Sequence, residues 1–306
     1  MNFDHSVKAR LIMDQTEDVK KIITAIIREN LSDEAWSWLA EKCILANQSA
    51  RQLNIAFVSM PQKAGKAAIH FSAKEAKALS LARPHFIIEN WTIDRLCRVW
   101  LLLHIDSSKK EDYFLAVENL FVAAEMNELV ALYSSLPVLQ YPELWHARCS
   151  EGIRSNIGTV LEAIICNNPY PSEQLGDAAW NQLVMKAFFT DKPIHQIIGL
   201  DQRANKELAK MLSDYANERR AASRTVNPQL WRCVGKFIDE KNFTNIQRIY
   251  HSTDAIEKEA AALACYSSDY PAAKELLKQD NTLKSQIESG QLNWDTLSKK
   301  LIAQTG

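Results

Sequence analysis

The side chains best placed for chemistry are polar groups set at helical spacing among apolar ones. Over residues 205–222, Leu208, Leu212 and Tyr215 form an apolar stripe that continues to Arg219, with Glu218 at its edge. Over 177–189, Asn181 shares a face with Val184, Met185 and Phe188; over 151–166, Arg154 shares one with Ile157, Leu161 and Ile165. Glu118 and Glu125 flank the face that carries Phe114, Phe121 and Val122. A charge withdrawn from water without a partner is costly, so these groups are expected to meet one another.

Three arrangements satisfy that demand. In one, Arg154 or Arg219 pairs with Glu118 or Glu218 and sets the register of the helices. In another, the same groups wall a pocket for a small ligand, lined by Trp180, Tyr215 and Trp231, with Arg219, Arg220 and Arg224 able to grip a carboxylate or phosphate. In the third, the charges reach solvent along their apolar stems. If the pocket were catalytic, Glu118 or Glu218 would be its acid or base beside Arg219.

Other chemistries find little support. The seven histidines are far apart, and none forms an HxxxH or HExxH pattern. His146 and Cys149 stand three residues apart, but two ligands do not make a zinc site. There is no GxSxG elbow. Lys63-Ala64-Gly65-Lys66 lacks the leading glycine, spacing and Ser/Thr of a phosphate loop. No metal and no cofactor are expected.

The elements that must position these residues are helices. Ser72 with Glu75, and Ser108 with Glu111, fit the capping-box pattern. Ser32 precedes an acidic first turn, and Asn227 precedes Pro228, as an N-cap precedes proline at the first helical position. Residues 93–105 (IDRLCRVWLLLHI) are apolar almost all round, which predicts a central buried helix. Trp36, Trp38 and Leu39 suit a helix docked on the core, and Trp91 and Trp100 suit the core itself; Trp294 suits a cap on the last helix. No sustained period-2 alternation is present. The expectation is an all-α chain of about twelve to fifteen short helices. They form stacked helical hairpins, either a degenerate α-solenoid of the HEAT or armadillo kind or a compact orthogonal bundle.

Residues 1–306 are read as one helical domain, with 60–72 as a basic connection and 73–306 as the main body. Met60–Ala78 holds Lys63, Lys66, Lys74 and Lys77 against Glu75, so contact with an anion or a membrane surface is the role it suits. The net charge of −1, from 36 basic and 37 acidic residues, provides no field for nucleic acid, and a helical-repeat nucleic-acid binder is disfavoured. Eight glycines are too few for turn-dense β architecture. The six cysteines are scattered without a CxxC pair and mostly sit in apolar context, as in a reducing compartment. The N-terminus lacks a signal-like apolar core, and no window is long and apolar enough to span a bilayer. A soluble cytoplasmic protein with peripheral membrane contact at most is expected.

The stretch from Asn168 to Phe237 carries NPYP, AWNQLVMKAFF, IIGLDQRANKELAKMLSDYANERRAASRTVNPQLWRCVGKF. Together with LSDEAWSWLAEK (31–42), VENLFVAAEMNELVALYSSLPVL (117–139), GIRSNIGTVLEAIICNNPYP (152–171) and EKEAAALACYSS (257–268), it resembles the EboA family of metabolite-traffic proteins. The resemblance covers nearly the whole chain and is strongest from Val117 to Phe237. The motif positions that can be placed are Arg154, Asn156, Glu162, Asn168, Trp180, Asn181, Lys186, Arg203, Glu218, Arg219, Arg224 and Trp231. The resemblance implies a soluble helical component of a bacterial gene cluster that moves or processes specialised metabolites, prenylated ones among them. It implies as partners a small metabolite and the cluster's other products, including a membrane prenyltransferase-like enzyme. It supplies no catalytic residue, and an adaptor or carrier is the reading it favours.

Overall fold

The computed structural model describes the backbone of residues 2–305 and the side chains of residues 16–304. The reading of the N-terminal side chains before residue 16 therefore lies outside the described residues. Eighteen α-helices and four short 3-10 turns account for the architecture, and an isolated bridge between Ala68 and Thr92 is the sole β pairing among the described residues. The all-α expectation holds. The helices fall into two compact units, Met1–Leu175 and Gly176–Gly306.

The first unit runs α1 (Asn2–Asn30), α2 (Asp33–Ala46), α3 (Ala50–Ala64), α4 (Ala73–Ala82), α5 (Ile93–Leu103), α6 (Lys110–Ala123), α7 (Met126–Ser135), α8 (His146–Ile153), α9 (Gly158–Ile165) and α10 (Tyr170–Gln174). The second runs α11 (Asp177–Phe189), α12 (Lys206–Ala221), α13 (Leu230–Val234), α14 (Phe243–Tyr250), α15 (Ala255–Ser267), α16 (Pro271–Lys278), α17 (Asn281–Glu288) and α18 (Trp294–Thr305).

Local signals start many of these helices where the sequence placed them. Ser32 caps α2 by accepting from Ala35 N. Ser72 and Glu75 close a reciprocal capping box on α4. Ser108 does not cap α6: its hydroxyl and amide both turn back to Asp106, and the helix begins after Lys109 without a side-chain cap. Asn227 accepts from Gln229 N in a turn, and α13 starts later, at Leu230. The single helix expected over 151–166 is two, because Ser155 Oγ takes the amide of Ile157 and breaks the ladder between α8 and α9. Arg154 is thus the exposed C-cap of α8, not a member of an apolar face.

Each unit is arranged around one central helix. In the first, α5 packs against α1, α3 and α7, and every residue from Ile93 to Leu103 except Arg95 is buried. In the second, α15 packs against α13, α14, α16, α17 and α18. Its run from Ala260 to Cys265 is buried throughout, and the small side chains let neighbouring backbones come close. A Cβ on Gly235 would lie 3.0 Å from Ala264 Cα, so only glycine fits there. The α2–α3 hairpin joins the first centre through α3, and α14 forms a hairpin with α15 itself. The basic stretch is not one loop: residues 60–64 complete α3, and Asn30 clamps the segment beyond it by exchanging hydrogen bonds with His70 N and O at 2.8 and 2.7 Å.

The core of α5 contains charge. Arg98, 2 % exposed, donates to Asp94 Oδ2 at 2.8 Å and to the Phe57 carbonyl at 2.9 Å, and lies 3.8 Å from Glu128 Oε1. Its guanidinium also lies 5.4 Å over the Phe57 ring. Replacing Arg98 by alanine strands two buried carboxylates and should cost about 3–5 kcal/mol in urea unfolding. The triple change Asp94→Asn, Glu128→Gln, Arg98→Met should recover most of that loss, because it leaves no uncompensated charge.

His104, after the end of α5, is half-buried against Trp100, with ring centroids 4.1 Å apart and its Nδ1 2.8 Å from the Trp100 carbonyl. Burial holds its pKa below the ordinary 6.5. The unfolded chain therefore binds more protons just below pH 6.5. The stability that His104 contributes is complete above that pH and is lost as pH falls from there to the lowered value. Urea midpoints measured between about pH 5 and 7 should fall less steeply on acidification for His104→Gln than for the native chain.

Candidate functional site

The 3-10 turn Leu136–Val138 follows directly from α7, and a second, Pro142–Trp145, leads into α8. The segment between them is held taut. Trp145 Nε1 donates to the Gln140 carbonyl at 3.0 Å, Tyr170 Oη to the Pro142 carbonyl at 2.6 Å, and Tyr141 Oη to the Ser107 carbonyl at 2.7 Å. Arg83, after the end of α4, donates its Nε to the Pro137 carbonyl at 2.8 Å and grips Glu173 of α10 with both terminal nitrogens, at 2.9 and 2.5 Å. Tyr141 stands at φ 54 and ψ 61, a left-handed conformation that is costly for so large a residue.

This segment forms one wall of a cleft of about 850 Å³ in the first unit, within the range that takes a small organic molecule. Val19, Ala82, Leu136, Pro137, Val138, Leu139 and Pro142 give it an apolar body, and Tyr141 and Tyr170 add aromatic rings. Thr16, Arg83, Asp106, Ser107, Ser108, Gln140, Glu143, Glu173 and Gln174 supply the polar groups. The charged ones are engaged. Glu143 is bound by Lys110 at 2.6 Å, which lowers its pKa, and Asp106 is lowered by the amide and hydroxyl of Ser108.

None of the residues singled out from sequence lines this cleft. Asn181 is buried and exchanges amide hydrogen bonds with Asn205, at 2.8 and 3.2 Å, while Asn205 caps α12 by accepting from Leu208 N. Trp180 is buried beneath Arg203, which lies 5.2 Å from its ring and pairs with Asp177 at 2.9 Å. Trp231 is buried with Arg220 at 5.3 Å from its ring. Lys186 is half-buried on α11, and Asn156 lies exposed between α8 and α9. Glu218 and Arg224 are exposed, so the inward placement expected of Glu218 is wrong: it lies on the solvent edge of α12. Arg219 donates to the Thr225 carbonyl at 2.6 Å and to Tyr215 Oη at 3.4 Å, closing the end of its own helix. The partner of Glu118 is neither Arg154 nor Arg219 but Arg148, which also takes Glu151 at 2.7 Å. Asn168 is buried, donating to the carbonyls of Tyr133 and Ala163 and so presenting Tyr170 to the cleft.

No group of three His, Cys, Asp or Glu side chains among the described residues is placed to hold a metal ion, and no described helix is long and apolar enough to cross a membrane. Burial raises the thiols of Cys149, Cys233 and Cys265 to about 12 and that of Cys43 to about 11, and raises Cys97 further. Lys63, Lys66, Lys74 and Lys77 are all exposed or half-buried at the surface.

The family model for the metabolite traffic protein EboA matches residues 19–235. The chain belongs to the EboA family. The matched residues span most of the first unit and the opening part of the second, and contain every cleft-lining residue except Thr16. In this EboA protein two of the segments that carried the resemblance, 117–139 and 152–171, come together at the cleft, the first through Leu136–Leu139 and the second through Tyr170. No curated protein and no solved structure matches the chain significantly.

The signal in sequence for this site is slight. It consists of Pro137 and Pro142, which bracket a short apolar run, and of Tyr170 in NPYP. If the Arg83–Glu173 fork holds the wall, Glu173→Ala should speed amide hydrogen exchange at residues 138–141 by at least about tenfold while α5 stays protected. Unchanged exchange there would show that the other contacts hold the wall unaided.

Proposed function

We propose that this EboA protein is a non-catalytic carrier that holds a small, largely apolar metabolite in the cleft of its first unit. The observation that carries the reading is the meeting, at one apolar surface, of two segments that lie within the family match and carry the resemblance in sequence. A second support is the state of the charged side chains there. Arg83 with Glu173, Glu143 with Lys110, and Asp106 with Ser108 are each committed to a structural contact, which suits holding a molecule better than exchanging protons with it. Movement of a specialised metabolite between enzymes of one gene cluster, a membrane prenyltransferase-like enzyme among them, belongs to this reading. So does a cytoplasmic setting.

The test is native purification followed by mass spectrometry of extracted small molecules, with Ala82→Trp as the comparison. Ala82 is half-buried on the cleft rim at the end of α4, and an indole there would intrude into the space a ligand needs. The native protein should retain a molecule that Ala82→Trp loses, with helical content and melting temperature unchanged. Retention by both, or by neither when the cluster is expressed, would overturn the reading.

A further inference from the structure

The charge lining the cleft defines what kind of metabolite it takes, an inference that rests on the carrier reading above. One cation, Arg83, faces three carboxylates, Asp106, Glu143 and Glu173. Each nitrogen of Arg83 already donates, two to Glu173 and one to the Pro137 carbonyl. A carboxylate or phosphate entering the cleft would therefore have to displace Glu173 from a bidentate pair. Lys110 neutralises Glu143 but is not part of the lining. The remaining negative charge is Asp106, an exposed carboxylate that accepts from the amide and hydroxyl of Ser108 and feels Lys109, with no cation within ion-pair distance among the described residues.

Two residues of the wall, Tyr141 and Glu143, already share an ammonium that reaches them from outside the lining. Lys110 Nζ lies 5.3 Å over the Tyr141 ring and 2.6 Å from Glu143, a ring and a carboxylate sharing one cation. Tyr141 Oη also donates to the backbone carbonyl of Ser107, which joins the Asp106–Ser108 segment to the same side of the cleft. We propose that the cleft selects an apolar molecule carrying a protonated amine, with Asp106 as its counter-ion, and discriminates against carboxylates and phosphates, including the diphosphates of prenyl donors.

Four ligands with one alkyl chain separate the contributions: decylamine, decanol, decanoate and decyl phosphate, titrated calorimetrically into the full chain at neutral pH, below their micellar range. Decylamine, protonated as lysine is, should bind at least about tenfold more tightly than decanol, and both anions more weakly than decanol. Asp106→Asn should bring the amine to within about threefold of decanol while leaving decanol affinity unchanged. Decanoate or decyl phosphate binding as well as decanol would overturn the charge preference and leave the cleft reading intact. Equal loss of all four ligands in Asp106→Asn would assign the residue to the shape of the cleft and overturn its role as counter-ion. Binding by none of the four to the native chain, with no retained metabolite, would overturn both.

Discussion

A guanidinium without water sets the layout of the first unit. Arg98 is enclosed in α5, and the carboxylates that neutralise it come from one turn earlier in the same helix and from the first turn of α7. Glu128 has a second task there, since its other oxygen accepts the Glu125 amide and closes the N-terminus of α7. Near the other end of α7, Arg95 donates to Ser134 from two nitrogens and stacks over Trp91. Two arginines of α5 thus fix both ends of α7. The cleft wall begins at the residue after α7 ends, so its position follows from that clamp. Asp94 Oδ1 is buried without a hydrogen-bond partner among the described residues, which fits a cluster held together by charge and packing more than by a complete hydrogen-bond network.

The same device recurs. Arg148 lies over Phe121 and pairs with Glu118; Arg203 lies over Trp180 and pairs with Asp177; Arg219 caps its helix while facing Tyr215. In each case the guanidinium lies over an aromatic ring while its nitrogens meet an acceptor. These contacts resolve most of the polar groups that look misplaced in the sequence between Asn168 and Phe237. A buried polar residue asks for a partner, and here it finds one locally.

The features legible in sequence are those decided locally. Ser32, Ser72 and the almost wholly apolar span of α5 each depend on a few neighbouring residues, and the structure bears out all three. The break at Ser155 is hidden, because a side chain competing for one amide leaves no trace in hydrophobic periodicity. Glu218 is misplaced by periodicity because two edges of a stripe look alike until the neighbouring helix is known. Asp94 and Arg98 stand at i and i+4 within an otherwise apolar run, and that spacing is a readable sign of the buried pair. The cleft is the least legible part. It is made by residues distant in sequence, from Thr16 to Gln174, none of which carries a distinctive chemical motif.

Burial keeps the thiols of five cysteines, Cys43, Cys97, Cys149, Cys233 and Cys265, from ionising. At neutral pH a thiol with a pKa of about 11 to 12 is ionised to roughly one part in ten thousand or less, and the thiolate is the nucleophile. Specialised metabolites are often electrophiles. In the proposed carrier, those five thiols would stay inert toward a quinone, enone or allylic passenger.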